Sequence, residues 1–397
     1  MAHSIGREYL AIPGPSVVPE RVLRAMHVPA PDIYSGPFVD MVPGLVRDLK
    51  SIARTRHHLA IYVGNGHGVW EAALANILAP GERVLVLVTG LFGHGWAEMA
   101  RGLQIDAQVI DFGTKSAIDP ARLQRELEAD KEHRIKAVMA VHVDTSSSLR
   151  NDIASLRAAL DAAGHPAMLL VDCIASLGCE RYEMDEWGVD VTVAACQKGL
   201  MTPPGIGFVF FNDKAAAARK SVRVSKYWDW VPRAEPEAFY QYFGGTAPTH
   251  HLIGLREAVD MILEEGLEAV WARHEQLARA YWAAVEALGR QGPLRLHLAD
   301  EAIRSHAVTT LAVGAPLGTQ LRDWLSRNAG VTLGVGLGMN SDDDPDADGF
   351  FRIGHMGHVN KHMVLGVIGA LQTALLALQI PHAAGALEEA AKILADT

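Results

Sequence analysis

Lys198 is the residue from which chemistry is most readily argued. It follows the apolar run Val189–Cys196 and Gln197, in a loop that closes on Pro203-Pro204-Gly205. Most lysines are solvated surface groups, but Ala194-Ala195-Cys196 before this one and Gly199-Leu200-Met201 after it are apolar. A lysine so placed loses its charge by forming an imine with a carbonyl compound. Asp172 ends a second apolar run, Met168-Leu169-Leu170-Val171. There it can cap a helix, or it can keep a ring nitrogen protonated and electron-withdrawing, as carbanion chemistry on such a ring requires. A third feature is Gly64-Asn65-Gly66-His67-Gly68, set between an apolar run and the helical pattern Val69-Trp70-Glu71-Ala72-Ala73-Leu74. Backbone amides at a helix start, approached closely through glycines, bind phosphate. The stretch lacks the Lys-Ser/Thr of a P-loop and the third glycine of a dinucleotide fingerprint, and read alone it is equally a glycine turn. Arg352, in Phe351-Arg352-Ile353-Gly354-His355-Met356-Gly357, suits two-pronged capture of a carboxylate, with a structural ion pair to Asp or Glu as the plain alternative.

These residues need a scaffold that brings strand ends together. Apolar runs predict strands at Leu59–Val63, Arg83–Val88, Asp106–Ile110, Ala137–Val141, Ala167–Val171, Val189–Ala194 and Gly207–Phe211. Amphipathic helical patterns lie between most of them, at Val69–Leu78, Gly93–Arg101, Pro120–Glu128 and Ile153–Ala163. Short continuous strands alternating with helices predict an α/β fold with a mostly parallel sheet covered on both faces. In such folds ligands gather at the carboxyl ends of the strands. The rhythm changes after about residue 212, and a long helical pattern from Leu252 to Leu288, broken near Gly266, leads into a smaller α/β unit. The expected division is a large domain over 17–265 and a second unit made of 1–16 with 266–397. Ile12 to Pro19 is too rich in proline for a helix and reads as an extended arm leading into Glu20–Met26.

Composition narrows the classes. A chain of 397 residues, 49% hydrophobic, is long enough for two packed domains. Its net charge of −10 argues against wrapping a polyanion, so no nucleic-acid partner is expected. Cys173, Cys179 and Cys196 fit neither a disulfide framework nor zinc spacing and read as buried thiols in a cytoplasmic protein. No signal-peptide pattern is present. The apolar stretch Met363–Ile380 is interrupted by Gln372, Thr373 and Gln379 and is expected to be a buried helix, with no membrane association. The histidines at 57, 58, 250, 251, 355 and 358 are expected to form hydrogen bonds, and no metal site is expected. Neither Gly-x-Ser-x-Gly nor His-Glu-x-x-His occurs.

Together these motifs resemble the class V aminotransferases of pyridoxal-phosphate fold type I, and most closely the branch that includes alanine–glyoxylate, serine–glyoxylate and pyridoxamine–pyruvate aminotransferases. The resemblance extends from Pro13-Gly14-Pro15 through Gly64–Leu74, Thr89-Gly90-Leu91-Phe92-Gly93, Val171–Gly178, Gln197-Lys198 and Gly254-Leu255-Arg256-Glu257-Ala258 to Arg352-Ile353-Gly354. It implies a large domain with a seven-stranded sheet, and pyridoxal 5'-phosphate held by Lys198 as an imine, with the same lysine shuttling a proton. It further implies that Asp172 pairs with the ring nitrogen, Phe92 stacks on the ring, and Gly66, His67 and Gln197 bind the phosphate. Thr145 or Ser146 would place a hydroxyl beside the cofactor, with Ser146 also assigned to substrate, and Arg352 would hold the substrate carboxylate. Thr246 would reach the phosphate of a second subunit, making a homodimer with shared sites. Phe92 stands where relatives commonly have an indole, and Phe243 where they often have a tyrosine near the partner's phosphate. The implied reaction moves the amino group of serine, aspartate or alanine to glyoxylate. Pyridoxamine–pyruvate or other 2-oxo-acid transamination is the alternative, because the Arg-Ile-Gly-His-Met-Gly sequence is shared with those enzymes. A cysteine desulfurase would need a thiol on a loop beyond the lysine, and no cysteine follows Cys196.

Overall fold

The computed structural model describes residues 6–339 and 344–396. Seven strands form one sheet in the order His58–Gly64, Gly205–Phe211, Val191–Ala195, Met168–Asp172, Ile135–Val141, Arg83–Val88, Asp106–Asp111. Each lies where an apolar run predicts it, with ends displaced by no more than one or two residues. Pairing is parallel from Asp106–Asp111 across to Val191–Ala195. Gly205–Phe211 is antiparallel to both of its neighbours, which returns His58–Gly64 to the common direction. Six carboxyl ends therefore share one edge.

Side-chain alternation shows how this sheet is covered. Leu85 and Leu87 pack with Leu123, Leu127, Ile153 and Leu156 of the helices Pro120–Ala129 and Ile153–Ala162. Val84, Val86 and Val88 pack on the opposite face with Trp70 and Trp96 of Gly66–Ile77 and Leu91–Gly102. Both faces of the strands are dry, which is why they read as unbroken apolar runs. The chain leaves Arg83–Val88 toward one edge of the sheet and leaves Ile135–Val141 toward the other. That reversal opens a crevice between two neighbouring strand ends.

A second sheet has the order Tyr9–Ala11, Val331–Val335, Phe350–Gly354, Val308–Ala312, Arg295–Leu296, and its core includes residues of the helices Leu267–Gly289, Lys361–Ala377 and Ala386–Ala395. The long helical pattern resolves into Thr249–Glu265 and Leu267–Gly289, separated at Gly266, whose φ of +86° is a conformation that glycine adopts at little cost. Lys361–Ala377 takes up most of the apolar stretch at 363–380, with Val364, Val367, Ile368 and Leu371 in the second core. Among the described residues no helix is long and apolar enough to cross a membrane. Pro43 hides another helix, Pro37–Ile52, from the sequence pattern, although Phe38, Val42, Leu45, Leu49 and Ile52 form a buried stripe at helical spacing. Met356, Val308, Val143 and Ala175 belong to a small core cluster where the two sheets approach.

Candidate active site

The crevice contains a cavity of about 190 Å³ lined by residues from five strand ends, among them Asn65, Gly66, His67, Trp70, Phe92, Thr145, Asp172, Gln197 and Lys198. Seven of the expected site residues thus meet in one place.

The Gly66–Ile77 helix opens this cavity. Asn65 caps it, accepting from the Gly68 amide at 3.3 Å. The amides of Gly66 and His67 meet no protein acceptor among the described residues. Unsatisfied N–H groups at a helix start carry partial positive charge and suit a phosphate. Gly66 is required by packing as well, since a Cβ there would lie 2.6 Å from Cδ1 of Ile174.

Asp172 is buried at the end of its strand. Its Oδ1 accepts from the Ile174 amide at 2.7 Å and its Oδ2 from Nε1 of Trp70 at 2.8 Å. Burial raises its pKa to about 7 despite both bonds. Two ionised oxygens offer about four acceptor sites, so capacity remains for a cationic N–H, which would favour the carboxylate again. Trp70 was not among the expected site residues. Its signal is an indole N–H, which can only donate, in the first turns of the helix that follows the glycine turn.

Lys198 is half-buried and donates to the carbonyl of Pro13. Burial lowers its pKa to about 8, helped by the charge of Arg352. The free amine, which is the nucleophile for imine formation, is therefore reached near neutrality. Gln197 stands beside it, and His67 and Phe92 also line the cavity.

The turn Val143–Arg150 links the cavity to the second sheet. Thr145 lines the cavity, and its carbonyl accepts from Nη1 of Arg352 at 2.8 Å. Arg352 also donates through Nε to Val335 at 2.7 Å. Both partners are carbonyls, and no carboxylate pairs with Arg352 among the described residues, so the plain alternative of an ion pair does not account for it. Burial lowers its pKa to about 10, which leaves it charged at neutral pH. Its Nη2 hydrogens have no protein acceptor among the described residues, and a guanidinium edge of that kind suits a carboxylate. Arg352 stands behind Thr145 and is not itself part of the cavity wall.

Ser146 is also set back from the cavity. Its hydroxyl donates to Oδ1 of Asp144 at 2.6 Å and accepts from the Leu91 amide at 2.9 Å. Asp144, another residue not expected, accepts from the amides of Phe92 at 3.0 Å and Gly93 at 3.3 Å. The helix Leu91–Gly102 begins on Gly90, which has no side chain to cap it. Asp144 and Ser146 supply the cap from a distant turn, and a Cβ on Gly90 would lie 2.6 Å from Ser146 Oγ. Phe92 is held at the cavity by this cap.

Thr246 is exposed and lies outside the cavity wall of its own chain. Phe243 is buried within its own subunit against Phe239 and Tyr242, so it is a core residue. His355 is buried, bonded to the Thr309 hydroxyl at 2.9 Å and the His306 carbonyl at 2.8 Å. All three cysteines are free and buried.

A doubly wound sheet with a half-buried lysine of lowered pKa, a buried carboxylate with acceptor capacity to spare and unpaired helix-start amides at its strand ends is the arrangement of a pyridoxal-phosphate enzyme of fold type I, and the solved structures similar to this chain are of that fold. The chain belongs to the class V aminotransferase family, whose sequence model matches residues 55–353. It is 37% identical to a serine–glyoxylate aminotransferase of Methylorubrum extorquens, over 94% of this chain and 92% of that protein. It is 34% identical to an L-aspartate–glyoxylate aminotransferase of Paracoccus denitrificans, over 93% and 91% of the two chains. The crystal structure of a pyridoxamine–pyruvate aminotransferase from Mesorhizobium loti superimposes with a TM-score of 0.89 at 26% identity, covering 99% of each chain. The protein is a pyridoxal-phosphate-dependent transaminase acting on amino-acid and 2-oxo-acid substrates.

Proposed function

We propose that the enzyme moves the amino group of a small L-amino acid, serine, aspartate or alanine, to glyoxylate, giving glycine. The observation that carries a carboxylate-bearing substrate is Arg352, charged, bonded only to carbonyls and joined to the cavity through Thr145. Glyoxylate is supported by the names of the two relatives above.

Bound pyridoxal phosphate supplies a carbonyl that carries the amino group between half-reactions and a ring that withdraws electrons from the substrate α-carbon. The chain's residues supply the rest. Asp172 holds the proton on the ring nitrogen, and Trp70 with the Ile174 amide fixes its carboxylate plane. Gly66, His67 and Gln197 bind phosphate, and Phe92 covers the ring. The Lys198 amine, whose lowered pKa of about 8 suits a base, would take the proton from the substrate α-carbon and hold it for return. Arg352 orients the substrate by its carboxylate. Thr145 offers a hydroxyl at the cavity wall, and Ser146 acts on substrate through the turn that it stabilises.

A half-reaction screen tests this reading. Purified holoenzyme is mixed with single L-amino acids while loss of the resting imine absorbance is followed, and the resulting amine form is then mixed with glyoxylate or pyruvate. Serine, aspartate or alanine with glyoxylate should be the fastest combination. The similarity to a pyridoxamine–pyruvate enzyme makes pyridoxamine with pyruvate the necessary second arm. Faster exchange in that arm would overturn the glyoxylate assignment.

The assembly we propose is a cytoplasmic homodimer in which Thr246 completes the partner's phosphate site, consistent with its exposure here. Thr246→Ala should weaken cofactor binding by about 1.5–3 kcal/mol, the worth of one hydrogen bond to a charged group. Equilibrium dialysis of cofactor against the variant checks it, and unchanged affinity would remove Thr246 from the site.

A further inference from the structure

The N-terminal segment crosses Lys198 where the two sheets meet. Ile12 and Pro13 lie so close to Gly334 and Gly354 of the second sheet that a side chain on either glycine would strike them. Ser16 fastens the far end of the segment to the lysine loop. Its amide donates to the Gln197 carbonyl at 2.9 Å, and its hydroxyl to the Lys198 carbonyl at 2.7 Å. Between these fixed points the peptide Pro13–Gly14 meets the lysine side chain itself. The Pro13 carbonyl accepts from Nζ. Gly14, at φ +88°, has no side chain in the space taken by Cδ, Cε and Nζ of Lys198.

We propose that Pro13–Gly14 is a berth for the Lys198 amine, positioning it for proton transfer during the part of the cycle in which the lysine is not joined to the cofactor. The proposal rests on Lys198 being the imine-forming lysine. When an amino-acid substrate takes the lysine's place on the cofactor carbonyl, a long flexible side chain is released. That same amine must then reach the substrate α-carbon. Holding it in one rotamer removes the entropic cost of finding the geometry again. A backbone carbonyl only accepts, so it takes one N–H of the neutral amine and leaves the nitrogen lone pair on the side away from Pro13. The lone pair takes the proton as the Cα–H bond breaks, and the electrons of that bond pass to the cofactor ring. The ammonium so formed keeps its bond to Pro13, now strengthened by charge. Delivery of the proton to the cofactor carbon restores the amine, with no oxidant or reductant required. Because Pro13 rests on the sheet that carries Arg352, the group that captures the carboxylate and the group that parks the base share one support.

Gly14→Ala in the full-length holoenzyme tests the berth. A methyl group there takes the space filled by Cδ, Cε and Nζ of the parked lysine, and because the proposal confines this contact to the unjoined lysine, cofactor content and resting absorbance should stay as in the parent. With the fastest donor of the half-reaction screen, the single-turnover rate constant should fall about three- to tenfold, the worth of one hydrogen bond, with little change in half-saturation. A second readout needs no turnover. Enzyme loaded with pyridoxamine phosphate has Lys198 free, and acylation at a series of pH values with peptide mapping gives the midpoint of that amine. Gly14→Ala should lower the midpoint, since the ammonium loses its acceptor. Equal midpoints together with equal rate constants would overturn the berth. If Gly14→Ala does not fold, Ser16→Ala loosens the segment without touching φ at Gly14. It should move both readouts in the same direction by a smaller factor, and no movement there overturns the proposal as well. Borohydride reduction separates the two levels. A phosphopyridoxyl adduct on another lysine removes the assignment beneath the proposal, whereas an adduct on Lys198 with unmoved midpoints sinks the berth alone.

Discussion

The turn at Asp144 and the strand end at Asp172 lie at neighbouring strands of one sheet, and each buries an aspartate whose pKa burial raises. They differ in partners. Asp144 receives four bonds, from the amides of Phe92, Gly93 and Ser146 and from the Ser146 hydroxyl, and three of those donors begin or fasten other backbone elements. Asp172 receives two, at the edge of the cavity. The first carboxylate is used up in holding a helix start in place. The second is oriented but left with acceptor capacity at the cavity wall. Burial alone therefore does not mark a functional acid. The number of bonds left unmade does.

The largest expected effect breaks the comparison from the Asp172 side. Asp172→Asn can accept only one of the two bonds, because its NH2 group cannot accept the other, and it cannot hold a ring nitrogen protonated, so turnover should fall by about 10²-fold or more while stability falls by only about 1–3 kcal/mol, the cost of one unmade buried bond. Steady-state rates beside a melting curve decide it, and near-native turnover would make Asp172 a structural cap. Asp144→Ala should do the reverse in kind. It leaves buried amides at the start of Leu91–Gly102 without an acceptor and should cost about 3 kcal/mol of stability in denaturant unfolding. An unchanged midpoint with collapsed turnover would exchange the two roles. The smallest effect concerns Lys198. Its folded pKa of about 8 lies below the ordinary lysine value of 10.5, because burial disfavours the ammonium. Between those values the unfolded chain binds the proton and the folded chain does not, so this group's contribution to stability rises with pH across that window. The rate of imine formation when cofactor-free protein is given pyridoxal phosphate should rise with a midpoint near pH 8. A midpoint near 10.5 would mean a solvated amine.

Much of this arrangement is legible in the sequence because its causes are local. The seven strands read as unbroken apolar runs since both faces of the sheet are covered, and Asp172 and Lys198 stand out as polar interruptions at the ends of such runs. Gly66 is legible as a helix start after a strand. The amides that this turn caps lie at residues 91–93, Leu91 on Ser146 and Phe92 and Gly93 on Asp144, and nothing in Val-Asp-Thr-Ser-Ser-Ser separates such a cap from an ordinary polar turn. Trp70 becomes a partner of Asp172 only when a helix and a strand far apart in the chain are packed together. Pro43, inside Pro37–Ile52, masks a helix by local rules that tertiary packing overrides.

Tyr9–Ala11 pairs in parallel with Val331–Val335, so a strand near the start of the chain finds its partner near the other end. During synthesis that early strand leaves the ribosome long before its partner exists, and closing so large a loop is entropically slow. The second sheet therefore cannot be completed until Val331–Val335 and Phe350–Gly354 have been synthesised, whatever the state of the first. Until then the nascent chain carries an unpaired edge of the kind that recruits chaperones or aggregates. Fusions or trimming near residue 9 would be felt first in the yield of folded protein at the step where the two ends meet.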